Sequence, residues 1–135
     1  MEVHDAHCHY QFAEVPYAAV ELARSEGVGY AVINGSSPAD WADVAALAGR
    51  DPRNLPSFGL HPWDVPTAPA GWLDELRRVL LAHPAAGVGE MGLDRWIEGF
   101  DPVAQEAAFR AQLALAVELD RPLTIHCVRA IGPLM

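Results

Sequence analysis

The sequence predicts an α/β fold built on a parallel sheet, and three observations carry that reading. Short apolar segments alternate with longer, Ala-rich segments of helical period. Proline falls mostly at the boundaries between them. Histidines and one glutamate recur at the C-terminal ends of the apolar segments, where parallel α/β folds place their active sites.

The elements follow in order. A first strand is expected over residues 2–7 and a helix over 15–26; a second strand over 29–34 leads into a helix over 39–49. That second helix opens at Ser37-Pro38-Ala39-Asp40, with proline in its first turn. The third strand spans 55–60 and its helix 71–82. The fourth strand spans 86–90, ending at Glu90. Asp101-Pro102 then starts a helix over 102–119, Asp101 as N-cap and Pro102 at the first helical position. In that helix Gln105, Phe109, Leu113 and Ala116 form one stripe, with Glu106, Arg110 and Glu118 facing away. A fifth strand over 122–127 closes the series, and a fifth helix is expected to start near Arg129. Crossovers of this length imply βαβ units and parallel pairing.

At 135 residues, 51% hydrophobic and 20% charged, the chain is expected to form one packed domain over residues 1–135. Its formal net charge of −9 works against attraction to a phosphate backbone through clustered basic side chains. Cys8 and Cys127 are too few for a disulfide framework and are expected to pack in the strand–helix layer. No stretch is apolar for the roughly 18 residues of a membrane span, and the Met1–Asp5 start lacks the features of a signal peptide. The expected setting is cytoplasmic, with no membrane partner.

Asp5-Ala6-His7-Cys8-His9 carries the strongest signal. Alternate side chains of an extended segment share a face, so His7 and His9 can grip one divalent cation while Cys8 turns away. Asp5, one step deeper on that face, is expected to orient a histidine or a water beside the ion. Gly89-Glu90-Met91-Gly92-Leu93-Asp94 supplies a carboxylate, Glu90, that can bridge two cations. Asp94 is expected to orient Glu90 or to cap the following loop. His126, ending the fifth strand, is the candidate ligand of a second cation, and Arg129 a candidate partner for a phosphate or carboxylate. His61, in Gly59-Leu60-His61-Pro62-Trp63, is expected to touch substrate or a water and not to be a primary ligand. Trp63 reads as a lid or packing residue. His4, early in a strand, and His83, at a helix end, read as ordinary histidines with no site role.

Together, Asp5-Ala6-His7-Cys8-His9, Gly59-Leu60-His61-Pro62, Gly89-Glu90-Met91-Gly92-Leu93-Asp94 and His126-Cys127-Val128-Arg129-Ala130 resemble the TatD family of metal-dependent hydrolases. Gln105, Phe109 and Gln112 also suit that family's pattern. The resemblance implies a TIM (β/α)8-barrel type fold, here carried through about five parallel strands and four to five helices. It implies two divalent metal ions (Zn, Mg or Mn), with His7 and His9 on one, His126 on the other and Glu90 bridging as the catalytic carboxylate. It also implies cleavage of a phosphodiester in DNA with 3′–5′ exonuclease character. Two further family ligands, a histidine on the sixth strand and an aspartate on the eighth, have no counterpart in this sequence, so weak or absent turnover is expected of these residues alone. Open sheet edges at the first and fifth strands imply self-association. Two other readings stay open at this point: a non-catalytic metal-binding fragment, and an amidohydrolase or lactonase acting on a cyclic amide or lactone.

Overall fold

A computed structural model describes all of residues Met1–Met135 and contains the expected alternation. Its elements are β1 (Val3–Cys8), α1 (Tyr17–Ser25), β2 (Val28–Asn34), α2 (Trp41–Arg50), β3 (Asn54–Phe58), α3 (Trp72–Ala82), β4 (Gly87–Asp94), α4 (Pro102–Glu118), β5 (Leu123–Val128) and a short α5 (Ile131–Leu134). A single 3-10 turn, Val65–Thr67, precedes α3. The strands pair in parallel in the order β1-β2-β3-β4-β5, so chain order and sheet order coincide, as in a barrel.

The core lies between the sheet and its helices. Ala31 and Ile33 of β2, Phe58, Val88 and Met91 pack with Trp41 and Val44 of α2, Leu76 and Leu80 of α3, and Phe109, Leu115 and Ala116 of α4. The α4 start is as expected: Asp101 accepts from the backbone N–H groups of Val103 and Ala104, ahead of Pro102. The buried α4 face is turned from the expected stripe, with Gln112 and Leu115 inside and Leu113 only half-buried. The two glutamines of that face find backbone partners: Gln105 accepts from the Asp94 N–H, and Gln112 bonds both backbone groups of Leu60. α2 begins two residues later than expected. The Asp40 carboxylate accepts from the N–H groups of Ser36 and Ser37 and from the Ser36 hydroxyl, which folds residues 37–40 into a turn before the helix can start.

The largest departure is β4, which runs to Asp94 instead of ending at Glu90. Glycines that read as strand terminators are here close-packing strand residues. A β-carbon at Gly89 would sit 2.6 Å from the Thr124 carbonyl, and one at Gly92 would overlap the His126 carbonyl. Both have φ of +153°, which a side chain disfavours. One extra residue in β4, between Val88 and Met91, opposes a two-residue step in β5. Glu90 therefore lies inside a buried strand.

Cys8 and Cys127 are unpaired; Cys8 is buried in the core and Cys127 packs against it, as expected. β1 and β5 are the two edges of the sheet. Apolar strand residues remain open: Val3 is 46%, Tyr30 48%, Leu123 40% and Ile125 42% exposed. No helix is long and apolar enough to cross a membrane.

Candidate metal centre

His7 near the end of β1 and His9 just beyond it present both rings to one cavity of about 480 Å3 at the strand ends. His9 Nδ1 lies 2.8 Å from the carbonyl oxygen of Asn34 and donates to it. That bond leaves a lone pair on Nε2, which faces 3.1 Å from His7 Nε2 and 3.4 Å from Glu90 Oε2. His7 Nε2 is 3.1 Å from the same carboxylate oxygen. Three electron-pair donors thus crowd one point, an arrangement that requires a proton or a cation between them. Nitrogen–zinc and oxygen–zinc bonds of about 2.0–2.2 Å in tetrahedral array set donor–donor edges of roughly 3.3 Å, so the triangle fits a divalent ion.

The other oxygen of Glu90 faces a second cluster. Oε1 is 2.9 Å from His126 Nδ1, and His61 Nε2 lies 3.1 Å from that nitrogen and 3.8 Å from Oε1. His126 sits across from Gly92, the gap between Glu90 and Asp94 on the same strand, and its Nε2 lies 2.9 Å from Asp94 Oδ2. The ring is therefore held between two carboxylates, one at each nitrogen. The Asp94 contact turns Nδ1 toward the cavity as the nitrogen that would meet a cation.

Trp63 completes a closed circuit. Its backbone N–H donates to His61 Nδ1 at 3.1 Å and its indole N–H to Asp94 Oδ2 at 2.8 Å. Because His61 Nδ1 accepts, the neutral ring carries its proton on Nε2. His61 completes a triad of candidate donor atoms with Glu90 and His126, yet this tautomer makes it an N–H donor into the cavity. Burial lowers the His61 imidazole to about 4, against the opposing pull of Glu90, so the ring is neutral at neutral pH.

Burial opposes the charge on Glu90, but hydrogen bonds from His9 and His126 and the charges of His7 and His61 outweigh it and hold the carboxyl at about 2. Asp94 is likewise at about 2: burial opposes ionisation, and the bonds from the Trp96 backbone, His126, Trp63 and the Ile97 backbone override it. The hydrogen bond to Glu90 raises the His9 imidazole above 6.5 in spite of burial.

The structure thus brings together His7, His9, Glu90, His61 and His126. Asp94 caps the loop after β4 and orients His126, and no hydrogen bond joins it to Glu90. Asp5 departs from its expected place: its carboxylate accepts from the His7 backbone N–H at 3.0 Å and bonds no imidazole. Register shifts on either side of Asp5 break the simple alternation that would have aimed it at the ion. Arg129 is exposed beside Trp96, its guanidinium carbon 5.8 Å from the ring centroid. Three supporting residues were missed: Trp63, Asn34 through its carbonyl, and Gln112, which bonds both backbone groups of Leu60 next to His61. In the sequence Trp63 reads as a lid or packing residue and Gln112 only as a match to the family's pattern, neither with a partner.

The family model for TatD related DNase matches residues 4–134. A 3′-5′ ssDNA/RNA exonuclease TatD from Enterobacter lignolyticus is 36% identical over 117 residues, spanning 87% of this chain and 45% of that protein. An uncharacterized metal-dependent hydrolase, YjjV of Escherichia coli K12, is 32% identical over 134 residues, spanning 93% of this chain and 50% of that protein. The crystal structure of YjjV superposes with a TM-score of 0.91 at 29% identity, covering 97% of this chain and 52% of that one. A TatD family hydrolase from Entamoeba histolytica shares the fold at a TM-score of 0.84 and 17% identity, covering 98% of this chain and 52% of that one. The chain spans about half the length of the curated relatives it matches.

Proposed function

The chain belongs to the TatD-related DNase family, and from that membership we propose that residues 1–135 carry much of the metal-ligand set of a (β/α)-barrel hydrolase cutting a phosphodiester of single-stranded DNA or RNA. The observation that carries the reading is Glu90, whose two oxygens belong to two different donor clusters. His7 Nε2, His9 Nε2 and Glu90 Oε2 would hold one divalent cation, and Glu90 Oε1 with His126 Nδ1 a second. Imidazole-rich donors suit zinc better than magnesium. Bound there, such ions supply Lewis-acid polarisation of a phosphoryl oxygen and lower the pKa of water.

The chain's own residues do the rest. Asn34 and Asp94 fix which nitrogens of His9 and His126 face the cavity. His61, neutral and held by Trp63, presents an N–H donor to the cavity, where it would meet substrate or a water. Arg129 is a partner for a substrate phosphate, with its planar fork suited to two oxygens. The relatives named as 3′-5′ ssDNA/RNA exonucleases support the substrate class and direction.

For residues 1–135 by themselves, cation binding with little turnover is the second reading. It rests on the two unpaired edge strands and on the half-length match. Calorimetric titration with zinc or manganese, followed by manganese-dependent cleavage of single-stranded DNA, tests both. Saturable binding that Glu90→Ala abolishes supports the centre; no saturable binding sinks it. Cleavage lost in Glu90→Ala supports the hydrolase, and hydrolysis of a lactone instead of DNA would replace it.

A further inference from the structure

We propose that Trp63 and Trp96 form a stacking platform for unpaired nucleobases at the mouth of the metal centre, with the Arg129 guanidinium set against Trp96. The proposal rests on the phosphodiesterase reading above and adds how the strand is held.

Of four tryptophans, Trp41 is buried and Trp72 half-buried, whereas Trp63 is 55% and Trp96 65% exposed. Both exposed indoles stand in loops that follow strand ends at the cavity side, after β3 and β4. Trp63 and Phe12 are the two apolar side chains lining the cavity, and Phe12 stacks on His9 with ring centroids 5.0 Å apart. A large aromatic surface left in water beside a polar centre marks a contact site for a flat, apolar partner.

The two tryptophans also bond to one carboxylate, Trp63 through its ring and Trp96 through its backbone. Trp63 donates its ring N–H to Asp94 Oδ2, and Trp96 donates its backbone N–H to Asp94 Oδ1, each at 2.8 Å. Asp94 Oδ2 meets His126 as well. Asp94 thereby fixes the Trp63 ring and the backbone from which the Trp96 ring projects, both beside His126.

Charge points the same way. With a net charge of −9 and nine basic residues, all arginine, the chain has little with which to hold phosphates. Arg95 and Arg129 are the two arginines that follow the C-terminal ends of strands β4 and β5. Base faces are uncharged, so stacking supplies affinity that this surface cannot draw from phosphates. Paired bases hide those faces, which makes the platform selective for single strands.

Trp96→Ala removes the ring but leaves the N–H that Asp94 accepts. The test is equilibrium binding, by fluorescence anisotropy with manganese present, of short labelled strands with phosphorothioate links to resist cleavage. The strands are oligothymidylate, oligouridylate, an abasic phosphate strand and a duplex. The wild type is expected to bind the two base-bearing single strands about tenfold tighter than the abasic strand and the duplex, the worth of one stacked base. Trp96→Ala is expected to lose that advantage with abasic binding unchanged, and Trp96→Phe to restore most of it. Equal wild-type affinity for abasic and thymidylate strands, or a Trp96→Ala protein that binds thymidylate like the wild type, overturns the platform. Cleavage sensitive to Glu90→Ala judges the hydrolase separately: cleavage without a Trp96 effect leaves the enzyme and removes the platform, and base preference without cleavage does the reverse.

Discussion

Nε2 of His126 lies 2.9 Å from Oδ2 of Asp94, and that contact decides which nitrogen His126 turns toward Glu90. Both carboxylates come from β4, two residues either side of Gly92. The missing side chain at Gly92 lets the His126 backbone lie directly against the strand. A side chain there would separate β4 from β5 and pull the imidazole out from between its two acceptors.

Asp94→Asn is therefore expected to weaken divalent-cation affinity by about 10–100-fold while leaving the ligands in place. The amide retains an acceptor oxygen but loses the charge that favours Nε2–H. Calorimetric titration with manganese reads the effect directly. An unchanged dissociation constant would show that His126 is oriented by packing alone.

Glu90→Gln keeps the size of the side chain and removes the charge shared by both clusters. Saturable binding of either cation is expected to vanish, since each triangle loses its only carboxylate oxygen. If one cation still binds with wild-type affinity, Glu90 does not bridge.

Much of this was legible in the sequence, because period and position carry it. Alternation of apolar segments located all five strands, and strand-end histidines located the cavity. His7 and His9 are readable as a pair from their two-residue spacing once the other strand-end histidines and Glu90 are set beside them. What the sequence concealed depends on contacts between distant segments. Gly89 and Gly92 look like turn residues, and only the close approach of β5 explains them as strand residues. Asp5 follows from alternation only if the register is regular, and it is not. Trp63 reads as a lid or packing residue until its N–H groups are seen to join His61, in its own loop, to Asp94 at the end of β4.

Gln112 shows the cost of such a concealed contact. It is fully buried, accepts from the Leu60 N–H at 2.7 Å and donates to the Leu60 carbonyl at 3.1 Å. Gln112→Leu would leave both backbone groups of the residue before His61 without these partners. A loss of about 2–6 kcal/mol in unfolding free energy is expected, from roughly 1–3 kcal/mol for each of the two unsatisfied buried groups. Urea denaturation measures it, and a midpoint within error of the wild type would mean that water replaces the amide.

The edges of the sheet predict association. β5 has no neighbour on one side, and its Leu123 and Ile125 are 40% and 42% exposed. Residues 1–135 are expected to self-associate as concentration rises, and Ile125→Lys to suppress it by placing a charge on the open strand. Sedimentation velocity at several loading concentrations distinguishes this from a monomer whose sedimentation coefficient does not change.

The pH dependence of stability should carry the signature of the centre. In the cation-free protein the hydrogen bond to Glu90 raises His9 above its ordinary 6.5. Its stabilisation is complete below 6.5 and is lost as pH rises through the raised value. His61 has the opposite sign: burial lowers it from 6.5 to about 4, so stability falls as pH drops from 6.5 toward 4. Glu90, lowered from 4.5 to about 2, withdraws its contribution only below 4.5. These contributions place the cation-free maximum near pH 6.5, with His61 limiting the acid side and His9 the alkaline side. A divalent cation competes with the proton that His9 and Glu90 share, so its stabilising effect should grow as pH rises through the raised His9 value, moving the maximum upward. Thermal melts across this range, in EDTA and in saturating manganese, read both curves. A cation-free melting temperature that climbs steadily from pH 6.5 to about 8.5 would mean that His9 and Glu90 do not share a proton, and with it would go the argument that their crowding calls for a cation.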